Sequence, residues 1–340
     1  MPANLSPEYK AAEAAYRSTR EPRDRLERLR EMLRTIPKHK GTEHLQADIK
    51  VRIRGLSEEL EGPHKGAAHG GPSYIVRPEG AAQIVLIGPP NAGKSLLHAR
   101  LTGSGARDAS YAFTTQHPEP GMMPFEDVRL QLIDLPAVSP EHPLPWLANA
   151  LQTADAALLV VNLSEPACVE QLQSVHETLG EKRVMLTEHW PATNDAARLE
   201  ANDDDPFALR LPALLLANKA ELVADPKAEL EALLELAQFR YPALAVSATT
   251  GHGLGEIAPW LFERLGIVRV YTKVPHRAPD RDRPFTLRRG QTVRDLARLV
   301  HQDLEHSLRF ARVWGRSGFD GQQVGADHLV ADGDVVELHS

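Results

Sequence analysis

The sequence predicts an α/β protein in which a mostly parallel sheet is wrapped by helices and flanked by two smaller regions. Between residues 80 and 266, short and nearly continuous apolar segments alternate with helical stretches. The residues before this region are polar, charged and helical in pattern, and residues 267–340 mix strand-like segments with an amphipathic helix. Strands that are apolar throughout are buried on both faces, which is typical of a parallel sheet covered by helices.

Residues 1–66 are predicted to form an N-terminal helical hairpin region. Pro22 and Pro37 interrupt its helical pattern, and Pro22 suits the first turn of a helix. One apolar stripe follows helical spacing in the last piece: Leu45, Ile49, Ile53, Leu56 and Leu60. Because such a short segment buries little surface alone, we expect it to pack on another domain or on a protein partner. Residues 67–79 are assigned to a linker, because the stretch 62–72 is rich in Gly, Pro and His.

The central region, residues 80–266, carries the strands of the predicted parallel sheet. The apolar runs are Ile84–Ile87, Leu130–Ile133, Ala156–Val161, Ala213–Leu216 and Ala243–Val246. A polar, acid-rich stretch at 187–208 interrupts them, and it is expected to be a surface excursion or a partly disordered loop.

The C-terminal region, residues 267–340, is predicted to be a small α+β domain that is large enough to fold alone. "VRVYTKV", "FARVWG" and "DVVELH" have the character of strands. "TVRDLARLVHQDL" has the spacing of a helix, with Thr292 as its N-cap. Its apolar face consists of Val293, Leu296, Val300 and Leu304.

The composition of the 340 residues is that of an ordinary soluble protein, with 42% hydrophobic residues and a net charge of −7. One cysteine, Cys168, excludes an internal disulfide and fits a reducing compartment. No apolar run is long enough to span a membrane and no signal-peptide pattern is present, so we expect a cytoplasmic protein without a membrane partner. The two ends are mildly basic and the centre is acidic. A polyanion would meet the ends, although such small excesses are also ordinary fluctuations.

The strongest motif is "VLIGPPNAGKSLL", in which a buried strand leads through Gly88-x-x-x-x-Gly93-Lys94-Ser95 into a helix. Backbone N–H groups of such a glycine-containing loop wrap phosphates, and the lysine neutralises the outer two. The serine hydroxyl ligates magnesium. The motif therefore predicts a P-loop that binds a nucleoside triphosphate with Mg²⁺.

Two further segments carry the other groups that such a site needs. "YAFTTQHPEPG" follows the P-loop, and a threonine there can ligate magnesium and sense the γ-phosphate. We favour Thr115, with Thr114 as the alternate. "LQLIDLPA" ends a buried strand at Asp134, whose carboxylate is expected to hold magnesium through water. The predicted metal ligands are thus Ser95, Thr115 and Asp134, and the predicted catalytic residues are Lys94, Thr115 and Asp134.

The residues after Asp134 depart from the usual GTPase pattern. Ala137 stands where the motif normally has glycine, and alanine disfavours a positive φ. Val138 stands where Ras-like proteins have a glutamine that orients water, so we expect either slow hydrolysis or another group that assists it. Asn91 is a candidate for that group, because an asparagine at this place helps several GTPases to bind potassium (K⁺) beside the phosphates. Selection of Asn91 for turn geometry is the alternative.

Base recognition is assigned to "LLLANKAE" and "AVSATTG", which follow the next two strands. Asn218 is expected to brace the P-loop, Lys219 to lie along the base, and Ser247-Ala248 to support the base carbonyl. Guanine is usually read by an aspartate, but Glu221 stands at that position. The longer carboxylate either tolerates guanine after a small backbone shift or weakens the selectivity for it.

Together these segments predict one nucleotide site. Its predicted contacts are Gly88, Pro89, Pro90, Asn91, Ala92, Gly93, Lys94, Ser95, Phe113, Thr114, Thr115, Asp134, Leu135, Pro136, Ala137, Asn218, Lys219, Glu221, Ser247, Ala248 and Thr249.

The chain resembles the Obg-like GTPases, and specifically the developmentally regulated GTP-binding (DRG) family. The resemblance rests on "IPKHKGTEHLQADIKVRIRGLSEEL", "NAGKSLL" and "YAFTT", and at the end on "RVYTKV", "VWGRS" and "VGADHLVADGDVV". It implies an N-terminal helical hairpin, a Ras-like P-loop GTPase domain, a C-terminal TGS domain of the ubiquitin-like β-grasp class, and association with ribosomes or RNA. The family usually carries a folded insertion before the base-recognition loop. Here the interval 164–210 is short, so that insertion looks reduced or absent.

Three functions remain open from the sequence. The first is a slow, magnesium-dependent GTPase that binds GTP and GDP and switches association with ribosomes or RNA. The second is a degenerate nucleotide-binding adaptor with little turnover, acting through its N-terminal helices or TGS domain. The third is an ATPase, suggested by Glu221, since an Obg-like branch with a glutamate there prefers ATP. That branch, however, loses the lysine that Lys219 retains.

Overall fold

The computed structural model describes residues 6–19, 22–37, 42–61, 74–104, 115–192, 207–275 and 277–340. The chain divides into two compact units. One consists of residues 1–73 with the segment 203–207, and the other consists of the remaining residues up to 340. Of the predicted linker, residues 67–79, the part 67–73 lies outside the described residues, and residues 74–79 belong to no helix or strand.

The first unit is helical, as predicted. Its helices are α1 (Pro7–Ser18), α2 (Pro22–Thr35) and α3 (Glu43–Glu61). Ser6 caps α1 by accepting a hydrogen bond from Tyr9 N at 3.1 Å. The core of the unit consists of Tyr9, Ala12, Tyr16, Leu29, Met32, Ile36, Ile49 and Phe207. Of the predicted stripe on α3, Ile49 is fully buried, and Leu45, Ile53 and Leu56 pack against this core. The side chain of Leu60 is not among those described.

The second unit contains a seven-stranded sheet within its described residues. The strands are β1 (Gln83–Ile87), β2 (Glu119–Phe125), β3 (Val128–Asp134), β4 (Ala156–Asn162), β5 (Val184–Thr187), β6 (Leu209–Asn218) and β7 (Ala243–Ala245). The associated helices are α4 (Lys94–Thr102), α5 (Leu147–Leu151), α6 (Cys168–Glu181), α7 (Pro226–Ala237) and α8 (Leu254–Arg264). The strand order is β2-β3-β1-β4-β6-β5, with β7 paired to the second half of β6. Only the pair β2–β3 is antiparallel among these pairings.

Alternate side chains of the central strands enter two separate cores. Ile84 and Leu86 of β1 belong to the core on one face of the sheet, and Val85 and Ile87 belong to the core on the other. Strands β1 and β4 are buried along their whole length. The predicted Ras-like sheet, whose central strands are covered on both faces, is therefore confirmed.

The apolar pattern of the sequence did not predict two of the strands, β2 and β5. β2 contains Gly121 and two prolines, and it tolerates them because it is the edge strand of the sheet. β5 is short and pairs only with the first part of β6. β6 itself begins earlier than its apolar run suggests, at Leu209. Together with α6, β5 occupies the interval 164–210, in which the family insertion was expected to be reduced.

The acid-rich stretch 187–208 is described only at its ends, since residues 193–206 lie outside the described part. Its beginning is not a surface excursion. Trp190 is 2% exposed and meets the ring of Trp260 edge-on at 4.6 Å between ring centroids. Hydrophobic burial of this large ring anchors the segment to the core of the sheet.

The C-terminal region forms the predicted small α+β domain. Its elements are β8 (Ile267–Thr272), β9 (Phe285–Arg288), α9 (Val293–Val300), α10 (Gln302–Ser307), β10 (Phe310–Trp314), β11 (Gln322–Val324) and β12 (Asp334–His339). The sheet order is β11-β10-β12-β8-β9, with β8 and β12 parallel at its centre. Val293 and Leu296 of α9 pack onto the sheet, which gives the β-grasp arrangement that the resemblance implied.

The helix predicted across "TVRDLARLVHQDL" is divided in two. Thr292 precedes α9 as expected, and its backbone N–H and its hydroxyl both donate to the carboxylate of Asp295. His301 is extended, with φ −165°, so α9 ends at Val300 and the short α10 follows. A regular apolar spacing across the whole stretch concealed this break.

No helix in the described ranges combines the length and the apolar character needed to cross a membrane.

Candidate functional site

The predicted P-loop joins β1 to α4, and its two glycines are fixed by close neighbours. A Cβ at Gly88 would lie 2.1 Å from the carbonyl oxygen of Val160 in β4. Gly93 has φ +86°, and a Cβ there would lie 2.4 Å from Nδ2 of Asn218. Any larger residue at either position would displace backbone or a buried side chain. The loop geometry therefore requires both glycines of the motif.

Lys94 lies in the first turn of α4 and is buried. Its ammonium group donates to the carbonyl oxygens of Gly88 at 3.0 Å and Pro89 at 2.9 Å, so it is held inside the loop. Burial lowers the pKa of Lys94 to about 8, against the opposing effect of the Asp134 carboxylate. At neutral pH the loop thus encloses a positive charge that is poorly solvated.

The remaining loop residues differ in exposure. Ala92 is fully buried, Pro89 is buried and Pro90 is half-buried, whereas Asn91 is exposed. Asn91 also has a positive φ of +58°, a conformation that asparagine tolerates better than most residues. Its side chain is therefore available at the tip of the loop.

The three predicted magnesium ligands converge. Ser95 Oγ lies 2.5 Å from Asp134 Oδ2 and 3.0 Å from Thr115 Oγ1. Thr115 Oγ1 donates to the same carboxylate oxygen at 3.0 Å. These groups come from α4, from the segment before β2 and from the end of β3. Their oxygens form the kind of hard donor set that Mg²⁺ prefers.

Asp134 is 1% exposed, and its second oxygen, Oδ1, has no hydrogen-bond partner among the described residues. A buried carboxylate oxygen without a partner is costly unless a ligand or water satisfies it. The site therefore has an unused acceptor beside the two hydroxyl groups. Within the described ranges no cluster of three His, Cys, Asp or Glu side chains occurs, and the oxygen cluster here contains two hydroxyl groups and one carboxylate.

Of the two candidate threonines, Thr115 lies at this cluster. Phe113 and Thr114, which were predicted to contact the nucleotide, lie outside the described residues.

The loop after β3 passes against the P-loop. Leu135, Pro136, Ala137 and Val138 are all buried. Val138 N donates to Gly88 O at 3.1 Å, while its side chain lies in the core with Leu135 and Leu147. The side chain of Val138 therefore faces the core. Ala137 is not among the described non-glycine residues with positive φ.

Asn218 connects three loops at the end of β6. Its Nδ2 donates to Ala92 O of the P-loop at 2.9 Å, and its Oδ1 accepts from Ala248 N at 3.0 Å. It is 1% exposed, so both bonds are shielded from water. The bracing contact that the sequence suggested is present, together with a second contact to the other base-recognition loop.

Glu221 follows Lys219, whose φ is +63°, and lies in a 3₁₀ turn. Its side chain is exposed and lies near the Ser247–Thr249 loop. Slight burial acts to raise its pKa, but the hydroxyls of Ser247 and Thr249 and nearby Lys219 outweigh it and hold the pKa below its usual value. The structure therefore brings an ionised Glu221 close to the Ser247–Thr249 loop.

Arg100 is a site-forming residue that the sequence did not reveal. From α4 it donates to Ala248 O through Nε at 2.9 Å and to Thr249 O through Nη2 at 2.8 Å. It therefore ties the helix that begins at the P-loop to the second base-recognition loop. Its only signal in the sequence is its position two turns into that helix, and a surface arginine at such a position is common.

Most of the described groups of the site lie at the carboxyl ends of β1, β3, β6 and β7 or at the start of α4, while Thr115 lies in the segment before β2 and Arg100 lies further along α4. The carboxyl ends of the strands form the edge at which open α/β sheets bind ligands. The predicted phosphate and base-recognition segments therefore lie along one edge of the sheet.

Comparison with known proteins identifies the same two folded regions. A family model described as 50S ribosome-binding GTPase matches residues 83–189, and a TGS domain model matches residues 268–340. An uncharacterized GTP-binding protein of Methanocaldococcus jannaschii is 28% identical, over 93% of this chain and 92% of that protein. One from Halobacterium salinarum is 28% identical over 92% and 97% of the two chains, respectively. Developmentally-regulated G-protein 2 of Arabidopsis thaliana is 26% identical over 91% and 88%.

Proposed function

Because the chain belongs to the developmentally regulated GTP-binding family with a C-terminal TGS domain, we propose that it is a nucleotide-dependent switch. It binds GTP with Mg²⁺, hydrolyses GTP slowly to GDP and phosphate, and associates with ribosomes or RNA according to the nucleotide bound. The observation that carries this proposal is the convergence of Ser95, Thr115 and Asp134 next to Lys94.

The oxygen cluster fits a magnesium ion. Ser95 and Thr115 would hold it directly and Asp134 through water, and the ion would neutralise charge on the β- and γ-phosphates. The unpartnered Oδ1 of Asp134 supports this assignment, because a metal-bound water would supply the missing hydrogen bond.

Lys94 and the P-loop provide the phosphate contacts. The carbonyl groups of Gly88 and Pro89 hold the ammonium group in place, and a triphosphate offers it stronger, charge-assisted acceptors. The N–H groups at the start of α4 add partial positive charge to the same place. Phosphate binding is therefore the property of the site that depends least on its unusual residues.

Thr115 is the proposed sensor of the γ-phosphate. Its hydroxyl reaches the metal-ligand cluster only when the segment before β2 is folded against α4. Loss of the γ-phosphate removes the metal contacts that hold this segment, which is how switch segments are released after hydrolysis.

Slow hydrolysis follows from the loop after Asp134. Val138 is packed in the core, so no side chain at that position orients the attacking water. Asn91 is proposed to bind K⁺, since it is exposed at the tip of the P-loop where a monovalent cation would offset transition-state charge. The buried Val138 equally favours the adaptor function with little turnover, which is the second candidate.

Guanine is the proposed base. Glu221 keeps an ionised carboxylate at the usual place, near Ser247 and Thr249, and Lys219 is retained. ATP preference remains the alternative that rests on Glu221 alone. The similarity of residues 83–189 to the 50S ribosome-binding GTPase family supports a ribosomal partner, and such a partner implies a cytoplasmic location. Protein partners would dock on the N-terminal helices or on the TGS domain.

The test is phosphate release by the full chain with GTP and Mg²⁺, in K⁺ and in Na⁺, beside Lys94→Ala. The proposal predicts slow release that requires Mg²⁺, rises in K⁺ and disappears in Lys94→Ala. Nucleotide binding without release above that variant would favour the adaptor. Equal release in K⁺ and Na⁺ would remove the proposed role of Asn91.

A further inference from the structure

The β2–β3 hairpin extends from the proposed nucleotide site to the C-terminal domain. At one end Glu119 pairs with Asp134, and Thr115 lies four residues before this pair. At the other end Phe125 pairs with Val128 around the turn formed by residues 126 and 127. Six residue steps of antiparallel strand span roughly 20 Å. The hairpin therefore connects the metal-ligand cluster to a distant turn through one hydrogen-bonded ladder.

Two side chains of β8 in the TGS domain hold that turn. Arg269 Nη1 donates to Asp127 Oδ1 at 3.0 Å and also to the carboxylate of Glu126. The hydroxyl of Tyr271 donates to Asp127 Oδ2. Asp127 thus receives a guanidinium and a phenol on its two oxygens.

Arg269 is itself fixed before it reaches the turn. Asp332 binds its guanidinium in a fork, at 2.9 Å from Nε to Oδ1 and 2.7 Å from Nη2 to Oδ2. The ring of Phe262 lies 5.0 Å from the guanidinium carbon and also packs with Phe125 of β2, with 5.2 Å between ring centroids. The Arg269 side chain is only 17% exposed. A preorganised, partly buried ion pair is worth more than an exposed surface pair.

The charge state of the turn agrees with this geometry. Burial acts to raise the pKa of Asp127, but hydrogen bonds from Tyr271 and Arg269 outweigh it and hold that pKa below its ordinary value. Asp127 is therefore ionised at neutral pH.

A second contact between the two domains lies at the starts of β1 and β4, the central strands of the large sheet. Arg288 of β9 donates to Ala81 O at 2.9 Å and to Asp155 Oδ1 at 3.1 Å. Among the described residues, Arg288 itself binds no residue of the hairpin, and Ala81 is joined to β3 only through its backbone N–H, which donates to Arg129 O at 2.8 Å. The Arg288 contact provides an internal control for domain docking as such.

We propose that Arg269 and Tyr271 are positioning residues for the nucleotide site, because they hold the hairpin where Thr115 and Asp134 meet Ser95. This inference rests on the proposed function, and it assigns the TGS domain a part in regulating that site. Coupling between two sites is reciprocal. Docking of the TGS domain at the turn therefore favours the triphosphate-bound conformation, and loss of the γ-phosphate weakens the docking.

The test uses the full chain with Asp127→Asn combined with Tyr271→Phe, which leaves the Arg269–Asp332 pair intact. Asp155→Asn is the matched control, since it makes the same isosteric change at the other contact. Calorimetry gives the dissociation constants for GDP and for a non-hydrolysable GTP analogue with Mg²⁺. We expect the double variant to lose about fivefold in affinity for the analogue and less than twofold for GDP. The control should keep both affinities within twofold.

Equal fold-losses of affinity for both nucleotides, or no loss of affinity for either, would overturn the inference while leaving the proposed function intact. Failure of the wild-type chain to bind either nucleotide would overturn the proposed function, and this inference with it. Tyr271→Phe alone, which removes one hydroxyl, serves if the double variant does not fold. Hydrogen exchange of residues 267–272 gives a second readout. Wild type should protect β8 more with the analogue than with GDP, and the variants should lose that difference.

Discussion

The two ends of the candidate site are built differently. At the phosphate end, Gly88 and Gly93 have neighbours 2.1 and 2.4 Å from where a Cβ would lie, and Lys94 is buried against loop carbonyls. At the base end, Glu221 is an exposed side chain near the hydroxyls of Ser247 and Thr249. Backbone geometry dominates the first end, and side-chain choice dominates the second.

This difference suggests why a longer carboxylate, Glu221, can stand at the base end. A loop that grips phosphate with backbone N–H groups admits few substitutions, because any change moves the backbone. A carboxylate that reads a base edge can lengthen by one methylene if neighbouring hydroxyls reorient it. Asn218 joins the two ends, since it binds Ala92 O with one atom and Ala248 N with another. The phosphate end should therefore be the more sensitive to mutation.

The largest effect is expected from Lys94→Ala. Removal of the charged donor to the phosphates should weaken GTP binding by roughly one to two orders of magnitude, because a hydrogen bond to a charged group contributes about 1.5–3 kcal/mol. Lys227→Ala, at an exposed position of α7, is the matched control. Calorimetric titration of both variants measures the effect. GTP affinity in Lys94→Ala equal to that of the control would place phosphate recognition elsewhere.

Gly93→Ala should have the next largest effect. A positive φ costs an alanine about 1–2 kcal/mol, and the new Cβ would push against Asn218 Nδ2. We expect about tenfold weaker GTP binding and a lower free energy of unfolding, measured by titration and by urea denaturation. Gly103→Ala also places alanine at a positive φ, of +71°, but with nothing within 4 Å, so it separates backbone strain from the collision. Equal losses of GTP affinity in the two variants would mean that the contact with Asn218 is unimportant.

The pH dependence of GTP binding tests the buried charge of Lys94. In the free protein its pKa is lowered to about 8 by burial, whereas bound phosphates favour its protonated form. GTP affinity should therefore fall as pH rises above about 8, by up to about tenfold per unit, with proton uptake on binding. The contribution of Lys94 to folding stability changes with pH in the opposite direction. Between about 8 and 10.5 the unfolded chain holds this proton more tightly, so the contribution of Lys94 to stability rises with pH.

Calorimetry in buffers of different ionisation enthalpy measures that uptake. Affinity that stays flat from pH 7.5 to 9.5, with no proton exchange, would contradict the assignment to Lys94.

The smallest effect is expected from Glu221→Asp. The shorter carboxylate gains the usual distance to guanine but loses its reach to Ser247 and Thr249, so GTP affinity should change by no more than about threefold. Competition binding of GTP against ATP, in wild type and variant, measures the selectivity. A wild type that prefers ATP and a variant that prefers GTP would show that the base end determines nucleotide choice after all.

Sequence alone predicted the fold class, because a buried strand, a glycine loop and a helix leave a regular pattern, and it singled out Ser95, Thr115 and Asp134, which the structure brings together. It missed β2, since an edge strand accepts the prolines and glycine that obscure its spacing. It also missed the end of α9 at Val300, where the apolar spacing continues past the break.

The sequence carries no signal for the long-range contacts, for a different reason. Arg100, Arg269 and Arg288 each bind groups more than a hundred residues away in the chain, and nothing local distinguishes them from surface arginines. Asp127 likewise lies in an ordinary turn until the TGS domain is docked against it. Such partners follow from tertiary structure and leave no periodic signal in the sequence.

We propose that the loop around Lys94 takes up GTP together with a divalent ion held by Ser95, Thr115 and Asp134. Titration of the full chain with GTP, with Mg²⁺ and then with a chelator, measures this uptake. We expect saturable, one-to-one binding that weakens when Mg²⁺ is removed. Binding of GTP that is indifferent to Mg²⁺, or no uptake of GTP or GDP by the folded protein, would contradict it.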